Sequence, residues 1–229
     1  MRRWLIGVVL LVGLLGIADR AALAAAKSQL AAQVQREENL AERPAVDLRG
    51  FPFLTQAVRG RYDGGRLELR DLRTEKLRVN TLVIDLREVA LPLSDLVSGN
   101  IGAVPVGSVS GVALVTYVDL AAATGVPGLR ITPKGDRLEL TFPVEQFGAG
   151  APVTASARIG VAEQAVRMTA VQVQGVQLPE SVTTAVLDRL QASLGFGVLP
   201  YDLRVTDVRV ADAGVEVSAN ARDTVLRKP

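Results

Sequence analysis

The spacing of hydrophobic positions along this chain changes character twice. After Met1-Arg2-Arg3 comes an uncharged, mostly apolar run from Trp4 to Ala18, closed by Asp19-Arg20. From Asp19 to about Glu42 the residues are alanine-rich, with no Gly or Pro before Pro44, and Leu23, Ala26, Lys27, Leu30, Val34 and Ala41 fall near one stripe. Apolar residues recurring every three or four positions predict an amphipathic helix of the kind that packs on a sheet. Binding to a membrane surface is the alternative for such a stripe, but the polar face, with Gln29, Gln33, Arg36 and Glu37, is not rich in Lys and Arg.

Beyond Pro44 the period becomes two. Leu67 and Leu69 alternate with Arg66, Glu68 and Arg70, Leu77 and Val79 continue, and the apolar phase then moves to Leu82, Ile84 and Leu86. A one-residue change of phase within a strand-like run predicts a bulge that bends the sheet. Further alternating runs cover Val104 to Val118, Leu138 to Phe142, Val153 to Val161, Val166 to Val173, Leu203 to Val210 and Val215 to Ala219. Turn signals separate them: Asp63-Gly64-Gly65, Pro133-Lys134-Gly135-Asp136 and Ala211-Asp212-Ala213-Gly214. The alternate positions are polar, so each strand keeps a wet face and the sheet is antiparallel. Short helical pieces interrupt it near Leu93 to Val97 and Asp119 to Thr124, and a longer helix is expected from Pro179 to Leu194. This order predicts an α+β fold, a long curved antiparallel sheet wrapped around a long N-terminal helix and a second, C-terminal helix.

The N-terminus has the layout of an export signal: positive charge, about 15 apolar residues, then small residues including Ala22-Leu23-Ala24. As a helix the run would extend roughly 22 Å, short of a hydrocarbon core of roughly 30 Å. A cleaved signal fits that length, and an uncleaved anchor fits if Arg2, Arg3 and Arg20 snorkel. The expected division is therefore 1–26 as signal or membrane anchor and 27–229 as a single domain. Either outcome places the remainder outside the cytoplasm, since the positive charges lead.

Composition narrows the chemistry. The 229 residues can bury a substantial core, and 48% of them are hydrophobic. A net charge of +2 gives no reason to expect a nucleic-acid partner. The basic residues are 22 Arg against 4 Lys; arginine is the better fork for phosphate or carboxylate, and a GC-rich genome produces the same bias. No Cys and no His occur, which removes disulfides, thiolate nucleophiles, histidine metal sites and Ser-His-Asp triads. Gly107-Ser108-Val109-Ser110-Gly111 has Val at its centre and is no nucleophile elbow. No glycine loop is followed by Lys-Ser or Lys-Thr, and Gly148-Ala149-Gly150 lacks a third glycine. Acidic pairs such as Asp85 with Glu88, or Asp202 with Asp207, have no spacing suited to acid-base work or calcium loops. The chain is expected to be no enzyme and to need no cofactor or metal.

Gly50-Phe51-Pro52-Phe53-Leu54-Thr55-Gln56 places two of only five Phe residues around one proline. Proline sets its own φ and pushes Phe51 toward extended backbone, while Gly50 is free to take angles that other residues avoid. The two rings either plug the end of a core or line the mouth of an apolar cavity. Aliphatic residues dominate the inventory, so a curved sheet that fails to close on its helices would leave a greasy, elongated gap.

Three stretches carry a family resemblance: Ala18 to Gln35 (ADRAALAAAKSQLAAQVQ), Val46 to Leu69 (VDLRGFPFLTQAVRGRYDGGRLEL) and Val109 to Gly125 (VSGVALVTYVDLAAATG). Together they resemble the actinobacterial LmeA-like phospholipid-binding family, over nearly the whole chain. The resemblance implies an exported, extracytoplasmic cell-envelope protein, held in the periplasmic space, secreted or anchored, that binds phospholipid and is linked to lipoglycan assembly. It also implies a tubular lipid-binding fold (TULIP, BPI-like) with an acyl-chain groove. Carried onto this sequence, Phe51, Pro52, Phe53 and Leu54 form the signature turn at the lipid entrance. Arg59, Arg61 and Tyr62 are expected near the headgroup, an anionic one given the arginines. The alternative is a membrane-anchored interaction module that supports envelope glycosyltransferases without carrying lipid.

Overall fold

The computed structural model describes residues 2–74, 77–98, 102–142, 153–162, 165–174 and 202–227. In chain order these form α1 (Arg2–Glu37), β1 (Ala45–Arg49), α2 (Phe53–Arg59), β2 (Arg61–Arg73), β3 (Arg78–Ala90), α3 (Leu93–Ser98), β4 (Ala103–Thr116), α4 (Tyr117–Ala123), β5 (Arg130–Lys134), β6 (Arg137–Phe142), β7 (Val153–Ala162), β8 (Ala165–Gln174), β9 (Arg204–Ala211) and β10 (Gly214–Arg227). The fold is α+β, with strands in two sheets ordered β1-β2-β3-β4-β10-β9 and β5-β6-β7-β8. The pairings of β1 with β2, β9 with β10, and β5 through β8 are antiparallel. Two sheets thus stand where one long sheet was expected. The expected helix from Pro179 to Leu194 lies outside the described residues.

The chain folds as two compact units, one built from Met1–Leu69, Ile84–Val109 and Arg222–Pro229, the other from Arg70–Val83 and Ser110–Ala221. In the second unit, Leu138, Leu140 and Phe142 alternate inward along β6. Leu138 sits opposite Ala157 and Leu140 opposite Ala155, so large residues meet small ones across the ladder. This close fit leaves Leu138, Leu140 and Ala157 without solvent contact. Val115, Leu120, Ile131, Val205 and Val215 complete that core. Pro133, read as part of a turn, lies in β5 at the end of its sheet, where an edge strand tolerates a residue without an N–H.

In the first unit α1 is one unbroken helix that continues the apolar run directly into the amphipathic segment. It ends earlier than Glu42 because Asn39 turns left-handed (φ 49°) and the Leu40 N–H closes onto the Gln35 carbonyl at 3.0 Å. From Trp4 to Ile17 its large side chains are exposed, and burial begins at Asp19 and Leu23. The expected boundary between residues 26 and 27 therefore falls in mid-helix. α1 is also long and apolar enough by composition to cross a membrane.

The apolar residues on both sides of the phase change near the start of β3 share one interior, and the partner changes further along the strand. Leu77, Val79 and Leu82 pack into the core of the second unit, whereas Leu86 borders a cavity in the first. Asp63-Gly64-Gly65, expected as a turn, lies inside β2. A Cβ on Gly64 would stand 2.1 Å from the Leu86 carbonyl oxygen, and one on Gly65 2.9 Å from that of Asp47. These glycines serve close approach of neighbouring backbones rather than chain reversal.

Candidate functional site

The first unit has a small packed cluster, Leu23 with Phe53 and Ala57, joined by Ala22, Ala26, Leu48 and Tyr62. Phe53 is 5% exposed, and its ring lies 6.0 Å from that of Tyr62, tilted by 38°. Beside the cluster is an apolar cavity of about 220 Å³, bordered by Leu30, Leu48, Phe53, Leu86, Val104 and Leu226 among others. Among the described residues no charged side chain lines it. The volume is about seven times the ~30 Å³ of one liquid water, room for a stretch of hydrocarbon chain. A wider recess of about 610 Å³ in the second unit, between α4 and residues 125–132, is bordered by Arg130 and Thr132 as well as by apolar groups.

The cavity contains one polar tip. Tyr62 borders it, and among the described residues the buried Tyr62 hydroxyl has no hydrogen-bond partner. Burial pushes this phenol above its usual range, so it stays a neutral donor at physiological pH. A buried hydroxyl without a partner is uncommon and calls for a physical reason.

The signature turn divides its residues between two surroundings. Gly50 takes φ 96°, and a Cβ there would lie 2.3 Å from both the Gln56 amide nitrogen and an Asp63 carboxylate oxygen. Gln56 in turn accepts the Asp63 N–H on Oε1 at 2.8 Å, fixing the start of β2 against α2. The Phe51-Pro52 peptide is cis. Phe53 faces the cluster and the cavity; Phe51 (66% exposed) and Leu54 (37%) face outward, and Pro52 is exposed. Phe53 thus does both things the sequence left open, packing in the cluster and bordering the cavity, whereas Phe51 does neither and lies on the surface.

Arg59 and Arg61 are exposed, and among the described residues neither has an ion-pair partner. Other arginines of this unit are engaged: Arg49 donates to Asp85 at 2.5 Å, and Arg66 lies 3.5 Å from the same carboxylate. Asp85 thus ties together two arginines of neighbouring strands. Among the described residues no cluster of His, Cys, Asp or Glu could hold a metal ion.

Two contributors escaped sequence reasoning. Asp19 is only 2% exposed, and its Oδ1 accepts the Leu54 N–H at 2.8 Å, tying α1 to the first turn of α2. Its charge beside Arg20 reads as the ordinary flank of an apolar run, which gave no hint of burial. Leu226 reaches the cavity from the far end of the sequence, beyond the last apolar alternation that was legible.

A search of curated proteins and a search of solved structures each returned no match. The model of the LmeA-like phospholipid-binding family, in contrast, matches residues 17–220, so that the match begins beside Asp19 and takes in α2, the signature turn and most of the cavity lining. With that coverage, the chain belongs to the LmeA-like phospholipid-binding family.

Proposed function

We propose that this protein works outside the cytoplasm as a phospholipid-binding protein of the cell envelope, taking a stretch of acyl chain into the apolar cavity of its first unit. The observation that carries the reading is that cavity, whose walls among the described residues are uncharged, with the buried Tyr62 hydroxyl lacking a partner there among aliphatic and aromatic side chains. Each methylene withdrawn from water is worth about 0.8 kcal/mol. A lipid ester carbonyl would accept the Tyr62 hydroxyl, removing the cost of leaving it unsatisfied, about 1–3 kcal/mol. Tyr62 is thereby assigned to the ester region, and the charged headgroup remains outside with Arg59 and Arg61, which are exposed and free to form charge-assisted bonds to phosphate. No step of this requires a nucleophile or a general base. The lipid is held, and any transfer follows from release to a second membrane.

Native mass spectrometry of protein purified from its host, before and after denaturation, tests this reading. Phospholipid should leave only on denaturation. Val104→Phe, which fills part of the cavity, should lower the phospholipid carried per protein while leaving the fold intact. Tyr62→Phe should weaken retention roughly tenfold, the loss of one good hydrogen bond, without lowering stability. Protein that carries no lipid and competes for none with liposomes overturns the reading.

A further inference from the structure

Among the described residues, the outer face of α2 has no partner. This seven-residue helix buries Phe53, Gln56 and Ala57, yet the residues it turns outward include Leu54 and Val58, four positions apart and 37% and 79% exposed. Phe51, in the turn just before it, is 66% exposed. A helix on a soluble surface presents polar residues on its outer side, and a contiguous exposed apolar group marks an interaction site.

The position of this face along α1 identifies its occupant. The Leu54 N–H is bound by Asp19, the first charged residue after the apolar run, and the Arg20 guanidinium stands 4.8 Å from the centre of the Phe51 ring. Between Arg3 and Arg20 an α-helix rises about 26 Å, close to a hydrocarbon core of about 30 Å with an arginine to snorkel at each end. If α1 crosses a bilayer over that stretch, Arg20 and Phe51 lie at the outer membrane-water interface. The family match begins at residue 17 and burial at Asp19, so the folded unit starts where the bilayer would end.

We propose that α1 is retained as a membrane anchor and that Phe51, Leu54 and Val58 insert into the interfacial region of the outer leaflet beside it, with Arg20, Arg59 and Arg61 facing anionic lipid phosphates. The occupant of the α2 face is thus the lipid surface itself. This rests on the extracytoplasmic placement proposed above, and it does not depend on the cavity being filled.

The chain has no cysteine, so single-cysteine variants of the full-length protein can each carry one environment-sensitive fluorophore. Val58→Cys and Phe51→Cys are compared with Glu38→Cys, at the other end of α1 and about 27 Å further along the helix from Arg20. The protein is reconstituted in nanodiscs of zwitterionic lipid, with and without phosphatidylglycerol. The label at 58 and at 51 should show blue-shifted emission and quenching by lipids spin-labelled just below the headgroup, stronger with phosphatidylglycerol, while the label at 38 reports water. Emission at 58 indistinguishable from that at 38 overturns the proposal, as does mature host protein whose intact mass lacks residues 1–26. Val58 is outside the cavity lining, so the Val58 label decides the matter should Phe51→Cys fail to fold. Val58→Asp should likewise move α2 out of the bilayer yet leave the phospholipid that survives detergent exchange unchanged, whereas failure of the cavity reading would abolish that lipid and leave the quenching intact.

Discussion

Asp19 joins a carboxylate to a backbone N–H across 35 residues of sequence, and it does so almost without solvent. Asp19→Ala would leave the part-buried Leu54 N–H without its acceptor, at a cost of about 1 kcal/mol. Asp19→Asn keeps an acceptor oxygen and should retain most of that stability. Urea denaturation of the two variants, with an unchanged m-value, is the measurement. A deficit as large for Asn as for Ala would show that the carboxylate charge, and not the hydrogen bond, holds α2 in place. At this scale the sequence marked a constrained turn but not the directions of its side chains. Glycine, proline and two rings marked residues 50–54 as a constrained turn, yet local chemistry is nearly the same for Phe51 and Phe53. Only the packing of α2 on α1 sends one inward and the other out.

The elements were legible where apolar alternation was strong and hidden where polar residues were buried. β6, β7 and β8 lie within a residue or two of their expected spans. β10 was expected to end at Ala219 but reaches Arg227, since its inward positions continue with Ala221 and Thr224, and a buried threonine breaks the visible period. α2 went unseen because Pro52 and Gly60 bracket too few residues for a helical period to register. In the second unit Tyr117, at the start of α4, donates its hydroxyl to the Ala211 carbonyl, with that of Gly214 also in reach at 3.1 Å, and so pins the turn between β9 and β10. Gly214 itself leaves no room for a Cβ, which would lie 2.1 Å from the Val115 carbonyl oxygen. Tyr117→Phe should destabilise by about 1 kcal/mol and Gly214→Ala by on the order of 2–3 kcal/mol. Differential scanning calorimetry of both variants checks the ranking; a harmless Gly214→Ala would mean that the β4 backbone gives way easily.

Across the whole molecule, the α+β class and the family could be read from the residues, while the division into two units could not. Each unit draws its segments from distant parts of the chain, and periodicity reports which positions are apolar, not which interior they join. The absence of histidine has a measurable result. No side chain with an ordinary pKa titrates between about pH 5 and 8, so stability should be nearly flat there. Burial raises the phenols of Tyr62 and Tyr117, the latter helped by Asp212, so the folded protein keeps these protons to higher pH than the unfolded chain. Their contribution is complete below the unfolded value of about 10 and disappears as pH rises past it. Melting temperature should therefore fall above about pH 10, and less steeply in a Tyr62→Phe, Tyr117→Phe double variant. An equally steep fall in that variant would place the alkaline transition elsewhere. Finally, α1 runs from Arg2 to Glu37 without a proline or an interruption. With α1 retained as the proposed anchor, a stalk lacking any elbow would station Leu30, on the cavity wall, some 15 Å above the bilayer plane at Arg20, a reach suited to handing lipids over at one leaflet rather than ferrying them across a wide compartment.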